Sequence, residues 1–260
     1  MTQLFSEAVS PRGDRWSVID LEGKLCDIQS PRSGSESNAL ILLHDFDPAS
    51  SPAESALQQS LEKSGFAIIA PRAHRSWWLD SPIPSFDTRF TPERFVIDHV
   101  IAEIGRRWNI SPPGIAIVGA GMGGQGALRL SYRYPARLPI AAAVCPSIDF
   151  HLAMRDDAET FAALWNVYTD VEQARQDTAI LHIHPLNWPR HQFFAAVDTD
   201  QLWFDGAVRL RMKLSALGIP CTTILENSLG DSSNTFHHRA AEHVVAFVRE
   251  RFGAESRRIP

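Results

Sequence analysis

Cysteine is scarce in this chain of 260 residues, and the three that occur lie far apart, at Cys26, Cys145 and Cys221. None belongs to a C-x-x-C pair, and an odd number cannot all pair within one chain. We therefore expect reduced thiols and no disulfide framework.

The chain also lacks the usual signals for membranes, export and nucleic acid. No apolar run is long enough to span a bilayer, and the first fourteen residues lack the basic start and apolar stretch of a signal peptide. The net charge of -5 gives no reason to expect nucleic acid or an acidic membrane surface as a partner. We expect a soluble, cytoplasmic protein.

Regular alternation of predicted strands and helices runs from residue 39 onward, after a predicted hairpin over Trp16–Ile28. With no repeat or linker, this pattern predicts one α/β domain over residues 1–260. It has a mostly parallel sheet, helices on both faces and a small cap-like insertion at about 150–190. The predicted strands cover 39–44, 65–69, 115–118, 140–145, 192–197 and 222–225. The predicted helices cover about 51–63, 91–108, 127–134, 203–217 and 236–252, and Ser51 to Glu54 has capping-box spacing.

The stretch from Ile115 to Leu130, IAIVGAGMGGQGALRL, predicts a buried strand, a tight glycine turn and a helix from Ala127. This is the setting of the nucleophile elbow, G-x-S-x-G, in which a serine sits on a sharp strand-to-helix turn. Gly119 and Gly123 match its glycines, but Gly121 stands in the place of the serine. A phosphate-binding loop is disfavoured, since no acidic residue ends the next strand about twenty residues on.

The extended motif resembles the α/β-hydrolase fold, and within it the esterases related to esterase D and S-formylglutathione hydrolase. Those carry G-x-S-M-G-G-x-G-A-L where this chain has GAGMGGQGAL. The resemblance spans roughly residues 39–252 and includes LLHDF, VDTD and SALGIP in the same order.

The resemblance also implies where the remaining parts of an active site belong. Oxyanion donors would be the N–H of Met122 and that of Asp45 or Phe46. Asp200 takes the position of the acid, with Asp198 as second choice. The turn LGDSSN places Ser232 where relatives have the catalytic histidine, unless the turn shifts and His237 or His238 serves as the base.

Other residues near the implied site have both a functional and a plain interpretation. His44 is expected beside the oxyanion loop, where Asp45 adds a negative charge unfavourable to esterase chemistry. Cys145 is either a nucleophile or, more simply, a small buried hydrophobe. Four tryptophans either line a pocket or pack under a cap: Trp77, Trp78, Trp165 and Trp188. The H-x-H…H pattern of His182, His184 and His191 lacks nearby cysteines or paired carboxylates, so we expect no metal.

The loss of both nucleophile and base predicts a catalytically degenerate esterase-like protein that retains a pocket for a small molecule such as an ester or a carbohydrate. The alternative is an active hydrolase with a displaced base and an unidentified nucleophile. A second alternative is a structural or oligomerisation module. We expect no cofactor, and a homo-oligomer stays open.

Overall fold

The computed structural model describes residues 15–32, 37–199, 201–227 and 233–258. Its centre is an eight-stranded sheet with the order β1-β2-β4-β3-β5-β6-β7-β8. Strands β3 to β8 run parallel, while β2 is antiparallel to both β1 and β4. The strands are β1 Ser17–Leu21, β2 Lys24–Gln29, β3 Ala39–Leu43, β4 Ala67–Pro71, β5 Ile115–Ala120, β6 Ile140–Val144, β7 His191–Val197 and β8 Thr222–Glu226.

Helices cover both faces of this sheet, as the continuous apolar strands require. They are α1 Pro52–Ser64, α2 Pro92–Arg94, α3 Ile101–Trp108, α4 Gly121–Arg133, α5 Phe150–Asp156, α6 Ala162–Trp165, α7 Val171–Gln176, α8 Gln201–Ala216 and α9 Ser233–Ser256. Strand β3 shows the division, because Leu40 and Leu42 pack with α1 and α9 while Ile41 and Leu43 face the opposite core. The predicted mostly parallel α/β sheet is confirmed.

The hairpin and the start of α1 follow from short local signals. Glu22 and Gly23 both have positive φ, which suits the tight turn between β1 and β2. The Ser51 side chain accepts a hydrogen bond from the Glu54 N–H, and Pro52 is the first residue of α1. Both features agree with the sequence-based prediction.

Two helices differ from what the sequence pattern predicts. The helix expected over 91–108 contains a π-helical turn at Phe95–Val100 between α2 and α3. Helix α4 begins at Gly121 rather than Ala127, so an extended glycine loop is absent here. The glycine at 123 is explained by close packing, because a Cβ there would collide with the backbone of Leu43 in β3. It allows α4 to approach β3 closely and does not form part of a turn.

The segment between β6 and β7 holds α5, α6, α7 and a 3-10 turn at Ala179–His182, within the region expected to form a cap. No helix among the described residues is long and apolar enough to cross a bilayer.

Candidate functional site

The turn from β5 into α4 lies at the carboxyl edge of the sheet. Gly121, the first residue of α4, has a φ of +51°, in the left-handed region that glycine adopts without strain. A side chain here would also lack room, because a Cβ on Gly121 would lie within 3.0 Å of the Asp45 carboxylate. The space beside the turn is therefore taken by a side chain from the loop after β3.

Asp45 places its carboxylate between two backbone donors. Its Oδ1 accepts the Met122 N–H at 2.8 Å and its own neighbour's N–H, that of Phe46, at 2.7 Å. The resemblance to esterases implied the Met122 N–H as one oxyanion donor and the N–H of Asp45 or Phe46 as the other. The Asp45 N–H donates instead to Glu54 Oε2 at 2.5 Å, so of these two only the Phe46 N–H bonds the same carboxylate oxygen as Met122.

The first turn of α1 holds this carboxylate in place. The Ser51 hydroxyl donates to Asp45 Oδ2 at 2.7 Å and also accepts the Glu54 N–H as the helix cap. Burial raises the pKa of the Asp45 carboxyl, and the nearby Glu54 charge acts in the same direction. The hydrogen bonds from Ser51, Met122 and Phe46 oppose that rise, because they stabilise the ionised form.

A cavity of about 330 Å³ opens in front of Asp45 and Gly121. Its described lining is Asp45, Phe46, Asp47, Ser50, Ser51, Pro52, Ala53, Trp77, Gly121, Cys145, Ser147, Thr160, Phe161 and Trp203. We call it the Asp45 cavity. One wall is a set of mutually packed rings, with Phe46 stacked on Phe161 at 5.4 Å and Trp77 at 5.7 Å from Phe161. The volume lies near the lower end of the range for small-molecule pockets, about 300–1,000 Å³.

A larger groove of about 980 Å³ adjoins this cavity and shares Phe46 and Asp47 with it. Arg75 lies over the Phe46 ring at 4.2 Å, and Arg72 forms a salt bridge with Asp27 at 2.7 Å. The groove is thus the side of the site that carries basic groups.

A family model described as "Putative esterase" matches residues 28–191 of this chain. The chain belongs to this esterase family. No curated protein matches the chain in sequence.

Solved structures similar to this esterase-family chain come from α/β-hydrolases. An S-formylglutathione hydrolase from Agrobacterium tumefaciens aligns with a TM-score of 0.72 at 14% identity, covering 94% of this chain and 99% of that one. A ferulic acid esterase aligns with a TM-score of 0.68 at 16% identity, covering 91% and 97%. Mycobacterium tuberculosis MPT51 (FbpC1) aligns with a TM-score of 0.68 at 15% identity, covering 93% and 99%. At these identities the likeness establishes the fold, which is that of the α/β-hydrolases.

The structure describes some of the predicted acid and base positions and not others. Asp200 and Ser232 both lie outside the described residues. Asp198 follows β7, and its N–H donates to the Glu226 carbonyl at 3.2 Å.

His237 and His238 lie near the start of α9, and His237 is buried. Burial lowers the pKa of His237, which keeps the imidazole neutral, and its Nδ1 has no hydrogen-bond partner among the described residues. Neither histidine is among the described residues that line the Asp45 cavity.

His44 and Trp78 are not among the described residues that line the Asp45 cavity. His44 Nε2 accepts the Ala73 N–H at 3.0 Å, so its Nδ1 carries the proton that bonds the Asp45 carbonyl at 2.7 Å. His44 lines the larger groove. Of the tryptophans for which two roles were open, Trp78 is fully buried in the core and donates its indole N–H to the His44 carbonyl at 3.3 Å, whereas its neighbour Trp77 lines the Asp45 cavity.

The three histidines of the H-x-H…H pattern point to separate partners. His182 contacts Asp177 at 2.8 Å, His191 contacts Glu255 at 2.8 Å, and His184 accepts the Leu186 N–H. In the described parts of the chain no three potential ligands are placed to hold one metal ion. Cys145 is half-buried with a φ of +45°; it packs against the hydrophobic core on one side and lines the Asp45 cavity on the other.

Sequence reasoning missed four residues that shape the site: Ser51, Glu54, Phe161 and Trp203. The sequence does show the Ser51–Glu54 capping box, but a capping signal does not indicate that the Ser51 hydroxyl also donates to the Asp45 carboxylate. Phe161 and Trp203 enter from the cap segment and α8, and no local pattern marks them as lining a cavity.

Proposed function

We propose that this chain is a ligand-binding member of the esterase family that does not carry out acyl transfer. On this proposal the turn at Gly121 is a nucleophile elbow without its nucleophile. One observation carries the proposal: Asp45 Oδ1 takes both backbone N–H groups, at 2.8 and 2.7 Å, that would hold an oxyanion.

The position of that carboxylate opposes esterase chemistry in two ways. It occupies the donors that would stabilise a tetrahedral intermediate, and removing even one such donor costs an esterase-type enzyme about 10²–10³ in rate. Its charge would also repel the developing oxyanion. Glycine at 121 also supplies no nucleophile. The acylation step therefore lacks both a group to attack the acyl carbon and free donors to stabilise the oxyanion.

A ligand-binding role is supported by what remains. The Asp45 cavity keeps ring walls, hydroxyl groups and a half-buried carboxylate, the mixture of apolar surface and few polar groups that is typical of small-molecule sites. Two side chains of α1 and its cap hold Asp45 in place: the Ser51 hydroxyl donates to its carboxylate, and the Glu54 carboxylate accepts its backbone N–H.

The test is direct labelling with a fluorophosphonate probe and hydrolysis of short p-nitrophenyl esters by the purified chain. We expect no labelling and a hydrolysis rate that does not change in the Cys145→Ser variant. Covalent labelling at any residue of the cavity, or hydrolysis with saturation by substrate, would contradict the proposal.

The alternative of an active hydrolase draws on one observation, the buried imidazole of His237, because burial lowers its pKa and so favours the unprotonated form that a general base requires. It requires that His237→Ala or His238→Ala abolish a measurable ester hydrolysis. If the wild-type chain has no such activity, this alternative is rejected.

A further inference from the structure

The Asp45 cavity has an unusual balance of charge. Among its described lining residues there are two carboxylates, Asp45 and Asp47, and no lysine, arginine or histidine. The basic groups nearby, including Arg72 and Arg75, line the adjoining groove instead. An anionic ligand would therefore meet carboxylates here without a compensating side chain.

The carboxylate of Asp45 is held by neutral donors alone. Two backbone N–H groups and the Ser51 hydroxyl bond it, and no ion pair with a described side chain accompanies them. A carboxylate offers about four lone-pair positions, so these three bonds leave one free. Burial penalises its charge, and Glu54 beside it adds to that penalty. A cation in the cavity would relieve both.

The walls of the cavity suit a cation with apolar substituents. Four aromatic side chains line it: Phe46, Trp77, Phe161 and Trp203. Ring faces attract ammonium groups, and the attraction grows when water is excluded. The ring of Phe46 is already occupied, because Arg75 lies over it at 4.2 Å and Phe161 stacks on it at 5.4 Å. A cation in the cavity would therefore depend mainly on the rings of Trp77, Phe161 and Trp203.

We propose that the Asp45 cavity binds an organic ammonium ion, with its positive charge against Asp45 and its alkyl groups against the aromatic walls. This rests on the proposed function as a non-hydrolysing binding protein and names the class of ligand. Carbohydrates also pack on aromatic side chains, but a neutral sugar could only donate hydroxyl hydrogen bonds to Asp45 and would leave its charge without an opposite charge.

Choline and its uncharged isostere 3,3-dimethyl-1-butanol test the proposal in isothermal titration calorimetry. We expect choline to bind the wild-type chain at least about tenfold more tightly, since the two probes differ mainly in charge. Asp45→Asn keeps the size of the side chain and should remove that preference. Glu242→Gln loses the same charge from an exposed position on α9 and should keep it.

A second variant guards against misfolding of the first. Phe161→Leu removes one ring face from the wall but leaves Asp45 in place. It should weaken choline severalfold and leave the alcohol almost unaffected. Equal binding of the two probes, no binding of choline, or a preference that survives both Asp45→Asn and Phe161→Leu would overturn the ammonium inference. Those outcomes leave the non-hydrolytic function intact, whereas fluorophosphonate labelling would reject that function and says nothing about charge preference.

Discussion

Asp45 and Gly121 depend on each other, although they come from different loops. The carboxylate fits only because residue 121 has no Cβ, and the glycine turn is filled only because the carboxylate is there. Met122, whose N–H joins the two, lies 77 positions after Asp45 in the chain. A substitution at either position should therefore be felt at the other.

Gly121→Ala tests this dependence through stability. The new Cβ must displace the Asp45 carboxylate, which leaves the N–H groups of Met122 and Phe46 without their acceptor. It also forces an alanine into a positive φ, which alone costs roughly 1–2 kcal/mol. We expect the free energy of unfolding to fall by this backbone cost plus about 1–3 kcal/mol, the usual cost of overpacking. Urea denaturation measures the change.

Gly218→Ala is the matched control for that variant. Gly218 also has a positive φ, of +67°, but nothing lies within 4 Å of its added Cβ. It should therefore show only the backbone cost. In an Asp45→Gly background the Gly121→Ala loss should shrink toward the Gly218→Ala value. Equal losses for Gly121→Ala with and without Asp45 would show that the carboxylate does not compete for this space.

Helix α4 carries the site at one end and a buried charge network along its side. Arg129, fully buried in α4, pairs with Glu93 of α2 and with Asp177 after α7, the latter at 2.5 Å. Although burial raises the pKa of the Asp177 carboxyl, the hydrogen bond from His182 and the Arg129 charge hold it well below its usual range. The network thus fastens the segment between β6 and β7 onto the helix that bears Gly121.

Arg129→Leu should destabilise the chain by up to about 3–5 kcal/mol, because it removes the buried cation that Glu93 and Asp177 share. Glu93 keeps a second partner, Arg133 at 2.8 Å, so we expect the lower part of that range. The measurement is the urea midpoint with the slope checked for two-state behaviour. Arg175→Leu breaks an exposed i,i+3 pair with Glu172 on α7 and should change the midpoint little. Similar midpoints for the two variants would mean that the buried network contributes no more than a surface pair.

Most elements of the fold could be predicted from local patterns. The hairpin, the continuous apolar strands and the capped start of α1 each depend on neighbours in sequence. The π-helical turn at Phe95–Val100 and the early start of α4 could not, since helical periodicity does not mark the first and the second includes glycines that pack against β3. Periodicity does not report on a collision such as that between Gly123 and the Leu43 backbone.

The candidate site divides in the same way. The special position of Gly121 and the Met122 donor followed from one motif, and the Phe46 donor was one of two options. The sequence does not predict that the Asp45 carboxylate accepts hydrogen bonds from those donors. The orientation of this side chain depends on the Ser51 hydroxyl and on the space beside Gly121, which are set by the folded structure. The aromatic wall could not be predicted either, because Phe46, Trp77 and Phe161 are far apart in the sequence and meet only in the folded chain.

Restoring hydrolysis tests the whole arrangement, since the required groups come from positions far apart in the sequence. Gly121→Ser and Ser232→His supply a nucleophile and its base, but with Asp45 in place the serine meets the carboxylate and the oxyanion donors stay occupied. Adding Asp45→Gly should free both donors. We expect the triple variant to become labelled by a fluorophosphonate and to hydrolyse p-nitrophenyl acetate about 10²-fold faster than the Gly121→Ser/Ser232→His double variant, the usual effect of an oxyanion donor. The Asp45→Gly/Ser232→His variant, which lacks the serine, is the control and should stay unlabelled. If the double variant is already as active as the triple, Asp45 does not block the donors during catalysis, and its carboxylate is a stabilising contact rather than an obstacle to acyl transfer.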